Sequence, residues 1–149
     1  MLFRSELLRE PNVAAYAAAL RACDAVHCHV QHPTMPSVVR QERALADEGA
    51  GATVARAVVV RWMLPAGTTY EAAANELEPY DRLRSPDAAV RAEVAEVLRL
   101  ASPARPGFAV VNNKAEGSAA LSVTELAAEL GVLVAGYDQV PAPSPEHSP

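Results

Sequence analysis

Short apolar runs alternate with longer amphipathic segments along this chain, and this order strongly limits its fold. Three runs predict strands, at residues 25–30, 53–64 and 107–113. A helical pattern separates each run from the next. Parallel strands need such a crossover segment, whereas antiparallel strands need only a short turn. The sequence therefore predicts an α/β fold in which parallel strands alternate with helices.

Local signals indicate where the helices begin and end. Pro11 suits a first helical position, and Ser37 suits an N-cap. Near the carboxyl terminus, Ser122 and Glu125 have the spacing of a capping box, and Gly131 suits the left-handed position that ends many helices. Helices are expected at residues 11–24, 38–47, 69–77, 85–100 and 121–131.

Composition argues against several classes of function. The net charge is −5 and the 13 basic residues are scattered, which argues against a general nucleic-acid binder. No apolar run approaches the roughly 18 residues that a membrane span requires, so we expect no membrane association. Cys23 and Cys28 are too close in sequence to suggest a disulfide framework. We interpret both as reduced residues of a cytoplasmic protein.

The chain has about half the length of a (β/α)₈ barrel. A whole barrel needs roughly 250 residues, so these 149 form either a small open sheet or part of a barrel. The stretches 58–83 and 108–130, which include the distinctive turn NNKAEGSA, resemble the carboxy-terminal half of the YecE-like family (domain of unknown function seventy-two), as does the loop 29–37. The resemblance implies a TIM-type barrel with its site at the carboxyl ends of the strands, and it implies no particular reaction.

The family's amino-terminal half has no counterpart in this sequence. We therefore expect residues 1–138 to form a partial barrel domain and residues 139–149 to form a disordered, proline-rich tail. A partial barrel keeps two open sheet edges and an inner face that lacks its opposite wall. The expected protein partners are a second copy of the chain or the missing amino-terminal half.

Three histidines and a cysteine lie within six residues: His27, Cys28, His29 and His32. Side chains alternate along a strand, so His27 and His29 point to one face and Cys28 to the other. Because zinc needs three or four convergent ligands, we expect no metal site here. His29 is a candidate catalytic residue for proton transfer. The alternative is that these imidazoles are only hydrogen-bonded inside the fold.

The turn after the last apolar run is the best candidate for a binding site. Loops that follow parallel strands present backbone N–H groups to a ligand, and Lys114 adds a positive charge. The alternative is that asparagine and glycine only shape the turn. The candidate anion-binding residues of this turn are Asn112, Asn113, Lys114, Gly117 and Ser118.

Arg61 stands near the end of the most apolar run, where an aliphatic residue is expected. A charge in that position is rarely buried without a partner. Arg61 therefore either binds an anion at the barrel mouth or pairs with Glu6, Asp81 or Glu116. Asp81, in a loop, is a candidate general acid or base, although surface turns have the same composition.

Two hypotheses follow for the function. In the first, Arg61 and the turn at 112–118 hold an anionic small molecule while His29 or Asp81 transfers a proton. In the second, the chain is a non-catalytic, truncated barrel remnant or an interaction module, because barrel active sites draw residues from several strands. No cofactor is expected in either case.

Overall fold

The computed structural model describes residues 6–65 and 67–132, which contain five helices and three strands. The predicted tail at 139–149 lies outside the described residues. The helices are α1 (Asn12–Ala22), α2 (Val38–Asp47), α3 (Tyr70–Leu77), α4 (Ala88–Leu98) and α5 (Ala119–Leu130). The strands are β1 (Cys28–Gln31), β2 (Val58–Trp62) and β3 (Gly107–Val111). One helix separates β1 from β2, and two helices separate β2 from β3.

The strands form one parallel sheet in the order β1–β2–β3. This confirms the α/β class with parallel strands. The second strand is shorter than the predicted run of 53–64, because the N–H groups of Val54 and Ala55 turn back to the carbonyl of Gly51. A helical turn at that point leaves only the five residues from Val58 onward free to pair with their neighbours.

The last helix begins earlier than the capping-box pattern indicates. Ser118 is the N-cap residue of α5, and Ser122 is buried within the helix. The carboxamide oxygen of Asn113 accepts the N–H of Ala119 at 2.9 Å and supports the first turn in place of a serine cap. The predicted capping box of Ser122 and Glu125 is therefore wrong. The glycine end is confirmed, since Gly131 has a φ of 68°.

The core lies on one side of the sheet. Val58, Val60 and Trp62 of β2 are buried under α4, whose Val94 and Val97 pack against them. The helix crosses β2 more closely than it crosses either neighbouring strand. Burying these large aliphatic and aromatic side chains contributes roughly 1.5–3 kcal/mol each. The interface between β2 and α4 therefore lies at the centre of the core.

The opposite side of the sheet is only partly covered by the described residues. The strand register places Cys28, Val59 and Phe108 in one row, and Val30, Arg61 and Val110 in the next; we call these six residues the open face. Phe108 is 52% exposed and Val110 is 55% exposed. The expectation that a partial barrel leaves its inner face without an opposite wall stays a prediction. Burial of the strands on both faces, which their apolar runs had suggested, is absent there.

The outer edge of β1 is closed by a side chain. The carbonyl of Gln31 accepts the N–H of Met63, the residue just after β2, so the backbone groups of Gln31 face β2. Backbone groups alternate in direction along a strand, and the N–H and C=O of Val30 therefore face away from β2. Both groups are bound by the buried carboxamide of Gln41: Val30 donates to Oε1 at 3.0 Å, and Nε2 donates to the Val30 carbonyl at 2.8 Å. Gln41 therefore takes the place of a neighbouring strand, and the prediction of two open edges was wrong at this point.

The outer edge of β3 differs. Asn112 donates its N–H to the Trp62 carbonyl, so the alternate residues Gly107, Ala109 and Val111 direct their backbone groups away from β2. No strand among the described residues pairs with that edge. The sheet is thus closed at one edge and unpaired at the other, within the part of the chain that is described.

None of the helices within residues 6–65 and 67–132 has the length and apolar character needed to cross a bilayer.

Replacing Gln41 tests the edge closure. Gln41→Ala removes hydrogen bonds to Val30 and to the Pro36 carbonyl, and it leaves buried backbone groups without partners. We expect the free energy of unfolding to fall by about 3 kcal/mol, measured by urea denaturation. Arg40→Ala, at the exposed neighbouring position, should change it by less than about 0.5 kcal/mol. Equal effects of the two substitutions would contradict the structural role of the carboxamide.

Candidate functional site

A pocket of about 410 Å³ lies on the open-face side of β1 and β2. Its wall combines apolar side chains with a phenol, an imidazole and a guanidinium. The residues that define its chemistry are Val26, Val30, Met35, Tyr16, His27 and Arg61. Apolar walls with a few convergent polar groups are typical of small-molecule sites.

Arg61 supplies the cation of this pocket. Its side chain is exposed, while Trp62 points to the helix side as the sequence predicted. No described carboxylate forms an ion pair with Arg61. The three acids considered as partners pair with other arginines instead: Glu6 with Arg9, Asp81 with Arg84, and Glu116 with Arg91. Among the described residues, the ion-pair alternative for Arg61 therefore finds no partner. The other alternative, in which Arg61 binds an anion, remains, since Arg61 lines a pocket.

His29 lies on the opposite side of the sheet from this pocket. It is 2% exposed, its Nδ1 lies 3.2 Å from the Val59 carbonyl, and its Nε2 lies 2.9 Å from the carboxylate of Glu42. The same carboxylate accepts the N–H of Ala52 at 2.8 Å. These contacts join β1, β2 and α2 to the loop that follows α2. The geometry favours a structural role, and the catalytic role of His29 stays an untested prediction.

His27 lies just before β1, with its ring centroid 4.8 Å from that of His29, and it also lines the pocket that holds Arg61. Its Nε2 lies 3.3 Å from Gln41 Oε1, which is an acceptor, so this nitrogen carries the proton. Its Nδ1 then accepts the hydroxyl of Tyr16 at 2.9 Å. Burial, reinforced by the neighbouring His29, lowers the pKa of His27 from 6.5 to about 4. His27 is therefore a neutral wall of the pocket at physiological pH.

The turn at 112–118 uses its polar groups internally. The side chain of Asn112 accepts the N–H of Lys114 at 2.9 Å, and the side chain of Asn113 accepts the N–H of Ala119. The N–H of Gly117 donates to the carbonyl of Asn113. Ser118 is buried at the start of α5. Most of the amides expected to bind an anion are thus already occupied, and anion binding by the turn stays a prediction.

The ammonium of Lys114 contacts two aromatic rings. It lies 4.4 Å from the ring centroid of Tyr70 and 5.0 Å from that of Tyr80. Hydrogen bonding to Tyr80, with a smaller contribution from Tyr70, raises the pKa of Lys114. The cation predicted for ligand binding is therefore engaged with the segment that follows β2.

The buried carboxylate of Glu116 holds the turn at 112–118 in place. Glu116 Oε1 accepts hydrogen bonds from Arg91 and from the N–H of Asp87, both at 2.7 Å. Gly117 has a φ of +112°, and a Cβ there would lie 2.6 Å from the Arg82 carbonyl, so only glycine fits. The turn is packed against residues 82–87. The sequence had suggested Glu116 only as a partner of Arg61, because a glutamate in a polar turn resembles a surface residue.

Asp81 lies in the loop after α3, with its side chain 58% exposed and 3.1 Å from Arg84. It does not line the pocket at Arg61. The residues proposed from the sequence therefore do not converge: His29 lies on the helix side, Asp81 pairs with Arg84, and Lys114 contacts two tyrosines. Within residues 6–65 and 67–132, no three histidine, cysteine or acidic side chains gather as a metal site.

The pKa of His27 makes stability depend on pH. In the unfolded chain the imidazole takes up a proton below pH 6.5, whereas in the folded protein it resists protonation until about pH 4. The stabilisation that comes from keeping His27 neutral is therefore fully present above pH 6.5, and it is lost as the pH falls toward 4. We expect a loss of about 2 kcal/mol between pH 7.5 and pH 5. Urea denaturation at both values should show this loss in His32→Gln but much less in His27→Gln. Equal losses in the two variants would contradict it.

Comparison with known proteins finds no match: no family model, no curated protein and no solved structure is similar to this chain. The resemblance to the YecE-like family stays a prediction from the motifs.

Proposed function

We propose that this chain is a protein-interaction module that docks a partner on its open face. The observation that supports it is the exposure of Phe108 and Val110, which are both more than half exposed beside a central strand whose other face is covered by helices. Gly107 and Ala109, on the helix side of β3, are exposed as well. Exposed apolar patches of this kind on a protein surface mark interaction sites. The regular strand register gives the patch a fixed shape, which specific docking needs.

The distribution of polar residues favours this proposal over an enzyme. General acid–base catalysis requires the proton-transferring group to reach a bound substrate. His29 is enclosed by protein groups, and Asp81 is outside the pocket that holds Arg61. The second hypothesis from the sequence, a non-catalytic partial barrel that acts as an interaction module, fits this arrangement better than the first.

A second candidate function is binding of a small anion with an apolar body. It is favoured by Arg61, whose cation has no ion-pair partner among the described residues and lines a pocket with Val30 and Met35. A guanidinium binds a carboxylate through two parallel hydrogen bonds. This candidate keeps the anionic ligand that the sequence suggested for Arg61 and the turn at 112–118, and assigns it to Arg61 without the turn.

Site-specific crosslinking tests the docking proposal. A photoreactive benzoylphenylalanine in place of Phe108, or of Val110, should give the same discrete adduct with one partner protein in cells of the source organism. Val54 provides the matched control, since it is 67% exposed and lies outside the strands. Identical adducts from position 54, or none from position 108, would count against the open face as a docking site.

Substituting the same residues separates binding from folding. Val110→Ser and the control Val54→Ser should each change the free energy of unfolding by less than about 0.5 kcal/mol in urea denaturation, because both side chains are already exposed. Only Val110→Ser should reduce the yield of the adduct formed at position 108. A large loss of stability in Val110→Ser would show that the side chain is part of the folded core.

Benzoate is a suitable probe for the second candidate. If it binds at Arg61, it should raise the melting temperature above that in benzamide or in chloride at equal ionic strength. Arg61→Gln should remove this increase, and Lys114→Ala should preserve it. Loss of the increase in Lys114→Ala alone would assign the anion to the turn at 112–118. An increase that both variants retain would exclude both sites.

A further inference from the structure

We infer that the partner of the open face is a protein with an apolar surface that carries a carboxylate opposite Arg61, and that a second copy of this chain is a poor partner. This inference rests on the proposed docking function. It follows from the position of one charge within an otherwise apolar patch.

Arg61 lies in the middle of the open face. It belongs to β2, the central strand, and the register places Val30 on one side of it and Val110 on the other. The face contains no acidic residue, and no described carboxylate pairs with Arg61. A partner that covers Phe108 and Val110 must therefore also remove water from the guanidinium.

Burying that charge without a counter-charge is costly. An unpaired buried ion loses several kcal/mol of hydration, whereas a carboxylate that forms two hydrogen bonds with the guanidinium restores much of this loss. A purely apolar partner would contact the valines and the phenylalanine but would leave the guanidinium of Arg61 buried without water or a counter-charge. A partner with one carboxylate at this position satisfies both parts of the face.

The six residues of the open face on a second copy of this chain include no such carboxylate. In a symmetric dimer the same patch is used by both copies, so two Arg61 side chains near the centre of the face approach each other across the twofold axis. Like charges brought together as water is removed repel each other more strongly than they do in solution. The net charge of −5 on each copy adds a weaker long-range repulsion.

The edges of the sheet indicate where the partner extends. Gln41 occupies both outward backbone groups of Val30, so the β1 edge offers little to an added strand. The outward groups of Ala109 in β3 have no strand partner among the described residues. A partner centred on Arg61 therefore gains more by extending over Phe108 and Val110 toward β3 than by extending over β1.

The chain itself provides a defined probe for this inference. Arg61→Glu keeps the apolar residues of the face and replaces the cation with a carboxylate. In an equal mixture of the unmodified protein and Arg61→Glu, we expect a one-to-one heterodimer by sedimentation velocity, with at least tenfold tighter association than either protein shows alone. Arg43→Glu is the matched control, because it makes the same charge change at an exposed position on α2, away from the face.

Further variants distinguish the possible outcomes. Heterodimer formation that is lost when Phe108→Ser is introduced into either component would support the inference. Absence of a heterodimer, or an equal effect of Arg43→Glu, would overturn it. Equally tight association of the unmodified protein with itself, abolished by Phe108→Ser, would also overturn it but would leave the docking function intact. The docking function itself fails only in the crosslinking experiment at position 108.

Discussion

The packing of β2 beneath α4 is the contact on which the rest of this structure depends. Side chains alternate along the central strand. One side, with Val58, Val60 and Trp62, is buried, whereas Val59 is partly buried and Arg61 is exposed on the other side. Three parallel strands are too few to curve into a closed barrel, because strand number, tilt and stagger are linked. The helices therefore cover one side of β1 and β2, and the side chains of the open face remain on the other side.

Buried polar side chains bind backbone groups that are not paired within the sheet or the helices. Gln41 closes the β1 edge, and Glu42 joins His29 to the loop after α2 through short hydrogen bonds. A buried carboxamide or carboxylate is stabilising only when its partners are in place, so these groups specify one register and one helix position. The edge that natural sheets usually protect with charges or prolines is protected here by one glutamine.

The candidate site illustrates how similar residue types serve structure and binding. Asparagine, glycine and lysine in a loop after a strand are typical of anion sites and also of tight turns. Here Asn112 and Asn113 bind backbone N–H groups of their own turn, and Lys114 contacts Tyr70 and Tyr80. Arg61 is different, because no carboxylate among the described residues forms an ion pair with it and its neighbours on the open face are apolar. An unsatisfied charge in an apolar patch is therefore a stronger indication of binding than a polar turn.

By itself, the sequence determined the parallel α/β class, the approximate helices and the opposite directions of Arg61 and Trp62, because these follow from periodicity and local backbone preferences. Tertiary structure alone decided which face of the sheet is covered, that Gln41 closes the β1 edge, and that α5 begins at Ala119 and not after Ser122. The covered face and the closed edge depend on contacts between separate elements, and the start of α5 depends on Asn113, which lies six residues before Ala119. A glutamine on an amphipathic helix has the same local pattern whether it meets water or a strand edge, and only the packing of α2 beside β1 distinguishes the two.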